Sequence, residues 1–192
     1  GWFGFNAGSA LAADEMAVLA FTNTQIATGS GLIGWLLAEF IKVGKASALG
    51  AASGIVAGLV AITPAAGFVE PLWAIVIGFL AGFICFYAVV VKIKVGYDDS
   101  LDVFGIHAVG GAWGALATGL FVTIGGTGML AGNFNQIGVQ LVGIFAAGAY
   151  SFIVTYVLVV IIDKTIGFRV NDEEEEIGLD TTQHGETGYN LV

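Results

Sequence analysis

The sequence predicts an all-α polytopic membrane protein built as a helical bundle, and three observations predict it. Hydrophobic residues fill 57% of the 192 positions and charged residues only 11%, against roughly 25% charged in soluble domains. The few charges border long apolar stretches: none lies between Glu15 and Glu39, Lys45 and Glu70, Glu70 and Lys92, or Asp102 and Asp163. Glycine occupies 30 positions, about twice its ordinary share, as in helices whose backbones touch inside a bilayer. The same composition excludes other classes. A net charge of −9 opposes nucleic-acid binding. Cys85, the single cysteine, has no partner for an internal disulfide, and two histidines with one cysteine cannot build a zinc site. No metal and no cofactor is predicted.

The charge-free gaps place the spans. A helix needs about 20 apolar residues to cross ~30 Å of hydrocarbon. The first three gaps hold one helix each, and the fourth holds two, divided by the turn-rich stretch from Gly125-Gly126-Thr127-Gly128 to Asn133-Phe134-Asn135. Five transmembrane helices are therefore predicted near 15–41, 47–66, 71–91, 101–123 and 136–163. Residues 1–13 are uncharged but too short to cross, and read as the end of a truncated transmembrane helix. With no initiator Met and no basic leader, the chain is expected to be a fragment or a processed half of a larger protein.

On this five-span reading all six basic residues, Lys42, Lys45, Lys92, Lys94, Lys164 and Arg169, fall on one side. The positive-inside rule makes that side cytoplasmic. The expected location is a cell membrane, with the tail 166–192 inside. Within the spans, the pairs Gly4/Gly8, Gly54/Gly58, Gly78/Gly82 and Gly110/Gly114 suit close helix packing. Pro64 is expected to kink the 47–66 helix.

His107 stands out. It lies some six residues into a span, in Asp102-Val103-Phe104-Gly105-Ile106-His107, about 10 Å below the helix start. An imidazole donates at one nitrogen, accepts at the other and changes charge near neutral pH. An ionisable side chain inside a membrane points to function, whereas in a soluble core a lone histidine reads as structural. Asp102, with Asp98, Asp99 and Ser100, is expected to cap the helix start, as are Asp14 and Glu15 at the outer end of another. Trp2, Phe5 and Ser9 are spaced by three and four, on one helical face. Such a face suits either a passage lined for a cation or an interfacial aromatic belt.

After Lys164 the chain turns acidic, with Asp172-Glu173-Glu174-Glu175-Glu176 followed by Gly178-Leu179-Asp180-Thr181-Thr182-Gln183-His184-Gly185-Glu186. A charge run of this kind is either a solvated segment or a cytoplasmic docking element.

Three of these stretches resemble one family. Gly1-Trp2-Phe3-Gly4-Phe5-Asn6-Ala7-Gly8-Ser9, Asp102 to His107, and the tail from Gly178 through Glu186 to Tyr189 are similar to signature segments of the ammonium transporter (Amt/MEP/Rh) family. The resemblance implies the second half of an eleven-span inverted-repeat fold, assembled as a homotrimer with a pore in each subunit. It implies substrate-pore roles for five residues: Phe5 as one of two stacked gating rings, Ser9 receiving the cation in the outer vestibule, Trp2 and Val103 lining an apolar conduit, and His107 as the second of two facing histidines. It also implies a regulatory tail carried by Gly178, Asp180, Thr182, His184 and Gly185, working with a cytosolic P-II signalling protein or through phosphorylation at Thr182. The implied substrate is ammonium or ammonia, with the lipid bilayer as the surrounding partner. The family's first five spans, with the first histidine and the other gating ring, have no counterpart here.

Two other readings compete with transport. A sensor would bind ammonium and signal through the tail, and a half-subunit would need a separately encoded partner. No enzyme is predicted, since Gly-x-Ser-x-Gly and HExxH motifs and a Walker-type phosphate loop are missing.

Overall fold

A computed structural model describes residues 1–188 of the chain. Among them the regular structure is helical. It runs as α1 (Trp2–Gly8), α2 (Glu15–Val43), α3 (Ala48–Ile62) and α4 (Pro71–Val95), then a π-helical turn (Phe104–Ala108) that passes into α5 (Val109–Phe121). A 3₁₀ turn (Met129–Ala131), α6 (Asn135–Thr165), α7 (Asp172–Ile177) and α8 (Leu179–Thr182) follow. The chain divides into two compact units, Gly1–Ile144 and Phe145–Val192.

The helix ends follow local chemistry. Asp14 Oδ1 accepts the Ala17 N–H at 2.9 Å and starts α2. Ser47 does the same for α3, accepting the Gly50 N–H at 2.9 Å, while its own hydroxyl donates to Glu39 Oε1 at 2.7 Å. Pro71 opens α4, where its missing N–H costs nothing. Gly44 and Gly96 close α2 and α4 at φ 80° and 77°, a left-handed geometry that favours glycine.

Glu15–Val43, Pro71–Val95, Phe104–Phe121 and Asn135–Thr165 are long and apolar enough to cross a membrane. α3 is shorter than its expected 47–66. Pro64 has no N–H to give the Val60 carbonyl, which the Thr63 N–H takes instead at 3.3 Å, and the chain leaves the helix in turns. Pro64 therefore ends α3 and does not kink it.

The first unit is built around α2, whose backbone touches those of α3 and α4. A Cβ built on Gly31 would stand 2.6 Å from the Gly54 carbonyl oxygen and 2.8 Å from the Gly58 Cα. One on Gly82 would strike the Gly31 carbonyl, one on Gly78 the Ala27 carbonyl, and one on Gly34 the Phe79 carbonyl. α5 docks in the same way, with Gly114 against the Ala61 carbonyl. Gly29, Gly31 and Gly34 have the Gly-x-Gly-x-x-Gly spacing of a dinucleotide-binding turn, yet they lie in mid-helix, where Gly31 and Gly34 serve packing. Gly4 and Gly8 meet no atom within 4 Å among the described residues, so this expected pair is not part of the unit's packing.

One polar residue ties the segment after α3 to α2. Asn23, 0% exposed, donates both amide hydrogens at 2.8 Å, to the Ala66 and Val69 carbonyls. The Phe68 carbonyl between them accepts from Thr123 and Ile124 at 3.1 Å. α6 differs from α2, α3, α4 and α5, because none of its 31 residues is buried.

In the second unit the acidic run is folded. Asn171 Oδ1 accepts the Glu174 N–H at 2.9 Å and caps α7. The carboxylates of Asp172, Glu173, Glu174 and Glu175 then lie in its first turn, where the helix dipole favours negative charge. Arg169 closes on Glu175 with two hydrogen bonds, of 2.9 and 2.6 Å.

Candidate functional site

Two chain segments carry the predicted pore residues. On α1, Trp2 is half-buried, and its indole N–H donates to Thr63 Oγ1 at 2.8 Å. Its ring meets that of Phe5 edge-on, with centroids 6.0 Å apart. Phe5 itself is 61% exposed, and Gly1, Trp2 and Phe5 line an open apolar hollow of about 290 Å³. Ser9 follows the last turn of α1, and its hydroxyl donates to the Phe5 carbonyl at 2.7 Å. That donation leaves the oxygen's lone pairs as acceptors. Asn6, on the other side of α1, is buried and donates to Thr24 Oγ1 at 3.0 Å, which fixes the helix on α2.

The second segment is the π-turn. The Val109 N–H bonds to the Phe104 carbonyl, five residues back, so this turn holds one residue more than an α-turn. Such turns recur at functional sites. His107 sits within it, exposed. Val103, just before it, is 49% exposed. Ile106 points inward to a buried cluster with Trp35, Ala57, Val60, Cys85 and Phe86, and Trp2 packs against that cluster. The two segments thus share one apolar foundation, while Phe5, Val103 and His107 stay uncovered.

Of the acids expected to cap this helix, Asp99 does so. Asp99 accepts the Val103 N–H at 2.9 Å and the Phe104 N–H at 3.0 Å, through its two carboxylate oxygens. Asp102 instead forms an ion pair with Lys92, and it has φ 57°, a left-handed backbone that aspartate tolerates better than most residues. Spacing alone missed Lys92, because a turn of unknown path separates it from Asp102. The doubled acid Asp98-Asp99 was the available signal.

The predicted tail residues run from the end of α7 through α8 to the turn beyond it. Gly178 adopts φ 110° between α7 and α8, and Gly185 φ 65° beyond them. Asp180 Oδ2 accepts the Gly188 N–H at 3.1 Å, and the Asp180 carbonyl accepts the Glu186 N–H at 2.8 Å. The His184 N–H reaches the Leu179 carbonyl at 3.2 Å. Thr182 Oγ1 is partly buried, 3.0 Å from the Gly178 carbonyl and 3.4 Å from that of Glu174. Tyr189, the end of the tail resemblance, lies outside the described residues.

The Gly188 N–H, and after it the Thr181 N–H, hold the Asp180 carboxyl below the usual carboxylate range. A lowered folded value means the clasp is strengthened by the carboxylate above the unfolded pKa of about 3.9. That strengthening is lost as pH falls from about 4 through the lowered value. Measured against its intrinsic exchange rate at each pH, the Gly188 amide should be protected near neutral pH and lose that protection under acid, and Asp180→Asn should abolish that acid dependence. Equal acid dependence in both proteins would remove this assignment.

A sequence model of the Ammonium Transporter Family matches residues 1–189. The chain belongs to the ammonium transporter family. It is 50% identical over 195 residues to an ammonium transporter of Bacillus subtilis, covering 98% of this chain and 48% of that protein. Among solved structures, Saccharomyces cerevisiae Mep2 superposes with a TM-score of 0.81 at 37% identity, over 86% of this chain and 42% of that one. A sensor Amt protein superposes with a TM-score of 0.84 at 30% identity, over 95% and 45%. The chain spans about half the length of the curated relatives it matches. This membership bears out the all-α polytopic fold predicted from composition, and its apolar helices make the family member a multi-pass membrane protein.

Proposed function

We propose that this chain forms one wall of a pore through which ammonium crosses a cell membrane as ammonia, with its tail on the cytoplasmic side. The observation that carries the reading is that Phe5, Val103 and His107 are exposed on two segments whose Trp2 and Ile106 share one buried apolar cluster. A soluble-core histidine would be enclosed; this one is presented outward beside apolar side chains.

The physics requires such a wall. Ammonium and potassium are close in size, so a cavity of fixed radius separates them poorly. Bringing either bare cation into a low-dielectric passage costs many kcal/mol, and aromatic faces worth roughly 0.5–2 kcal/mol each do not offset that. Ammonium alone escapes the cost, by giving up a proton to water at the outer mouth, which keeps the charge while ammonia goes on. Ser9 Oγ offers lone pairs to an ammonium N–H at the outer mouth, the π face of Phe5 favours the cation there, and Trp2 and Val103 line the apolar stretch beyond. Past the gate, neutral ammonia crosses the apolar stretch and hydrogen-bonds to the His107 imidazole, which can both donate and accept. The missing wall comes from the family's other five spans, and a homotrimer is the proposed assembly.

The folded tail is the proposed regulatory element, met by a P-II signalling protein. Phosphate on Thr182 would face two carbonyl oxygens and the acidic run of α7, a repulsive setting that opens the clasp.

The test is flux. The natural full-length protein in liposomes should pass ammonium and not potassium, and removal of 166–192 should leave a pore that no longer responds to its regulator. Equal potassium flux would reject the deprotonation reading. The structural likeness to a sensor Amt protein favours a second reading, in which ammonium binds, little flux is seen, and the tail carries the signal.

A further inference from the structure

Resting on that role for His107, we infer that Lys92 is a positioning residue for it, and that one face of α4 sets the register of the π-turn. Cys85, Val89 and Lys92 are spaced by four and three, on a single face of α4. Each meets a different level of the segment that bears His107. Lys92 pairs with the Asp102 carboxylate and donates to the Asp99 carbonyl at 2.7 Å. Val89 lies so close to Gly105 that a Cβ there would stand 2.9 Å from Val89 Cγ2. The Cys85 thiol donates to the Ile106 carbonyl across 3.8 Å, and a Cβ on Gly110 would come within 3.1 Å of its sulfur.

A π-turn holds one residue more than an α-turn, and short stretches of it persist only where their surroundings enforce them. Removing the surplus residue from the turn would rotate the segment before it by about 100°. Here both ends are fixed. Upstream, Lys92 holds Asp102 and Asp99, and Asp99 in turn holds the Val103 and Phe104 N–H groups. Downstream, Gly110 and Gly114 are seated against Cys85 and Ala61. The surplus residue is trapped between, and the imidazole is carried on the trapped stretch. Asp102 accepts a left-handed backbone to reach Lys92, as expected if the ion pair enforces the turn.

The experiment uses the natural full-length protein, labelled with ¹⁵N-histidine in bilayers, with the His107 ring signals assigned by their loss in His107→Asn. Lys92→Met is expected to displace those signals and to lose most of the ammonium flux, whereas Lys92→Arg keeps both. Asp102→Asn, which preserves shape, should reproduce the displacement and decides the matter if Lys92→Met does not assemble. Unmoved His107 signals in the assembled variants would overturn the inference, whatever the flux does. Displaced signals with undiminished flux would uphold it and instead remove His107 from the transport pathway.

Discussion

Replacing His107 by alanine in the natural full-length protein is expected to cut ammonium flux by roughly 5- to 150-fold. The estimate follows from one hydrogen bond. Ammonia in an apolar passage has no water to replace a lost partner, and an unmet polar group there costs about 1–3 kcal/mol, which is that range in rate. His107 is exposed on the π-turn, so truncation removes no packing from the cluster built on Ile106 and Cys85. The variant should therefore be present in the membrane at normal levels, and the loss should appear in transport alone. Stopped-flow measurement in liposomes, with potassium as the competing ion, reads both rate and selectivity. An unchanged rate with unchanged selectivity would exclude His107 from the path.

Gly82→Ala is the second large effect, and it falls on assembly. The added methyl would strike the Gly31 carbonyl and come within 2.7 Å of the Trp35 nitrogen. Both are backbone atoms of α2, so no side chain can swing away. Overpacking of this kind costs about 1–3 kcal/mol, a sizeable share of a total stability of about 5–15 kcal/mol. Gly29→Ala is the matched control, in the same α2 with nothing within 4 Å, and should be neutral or slightly stabilising. Melting temperatures in detergent should separate the two. If both variants melt with the wild type, the contact of α2 with α4 is looser than described.

The spans were legible because a bilayer allows few charges, so Glu15, Glu39, Lys45, Glu70, Lys92, Asp102 and Asp163 mark borders without any knowledge of contacts. His107 stood out for the same reason, as an ionisable side chain inside a charge-free stretch. The π-turn around it was not legible, since the surplus residue is a backbone response to docking on α4 and leaves no mark in residue types. Nor was the division of labour between Asp99 and Asp102. Both are acids near one helix start, and only the path of 96–102 decides which one caps and which one pairs with Lys92. The end of α3 at Ile62 depended on Pro64, whose presence was plain but whose effect, termination or kink, turns on the partners of Val60. The tail was ambiguous for a different reason. A run of four glutamates reads as solvated, and only Asn171, Arg169 and Asp180, each with a specific partner, make it fold.

The contact of α2 with α3 and α4 has a consequence in entropy. Many of its closest points are glycine or alanine, namely Gly31, Gly34, Gly54, Gly58, Gly78, Gly82 and Ala27, which have no rotamers to freeze. Burying a leucine or methionine costs about 0.5–2 kcal/mol in lost side-chain freedom, and burying glycine or alanine costs close to none. The three helices therefore associate without that penalty. Where backbone meets backbone, as at Gly31, Gly58 and Gly82, no flexible side chain stands between the helices to yield. The base beneath Trp2 and Ile106 is therefore expected to shift as a unit, leaving local motion to the exposed groups standing on it.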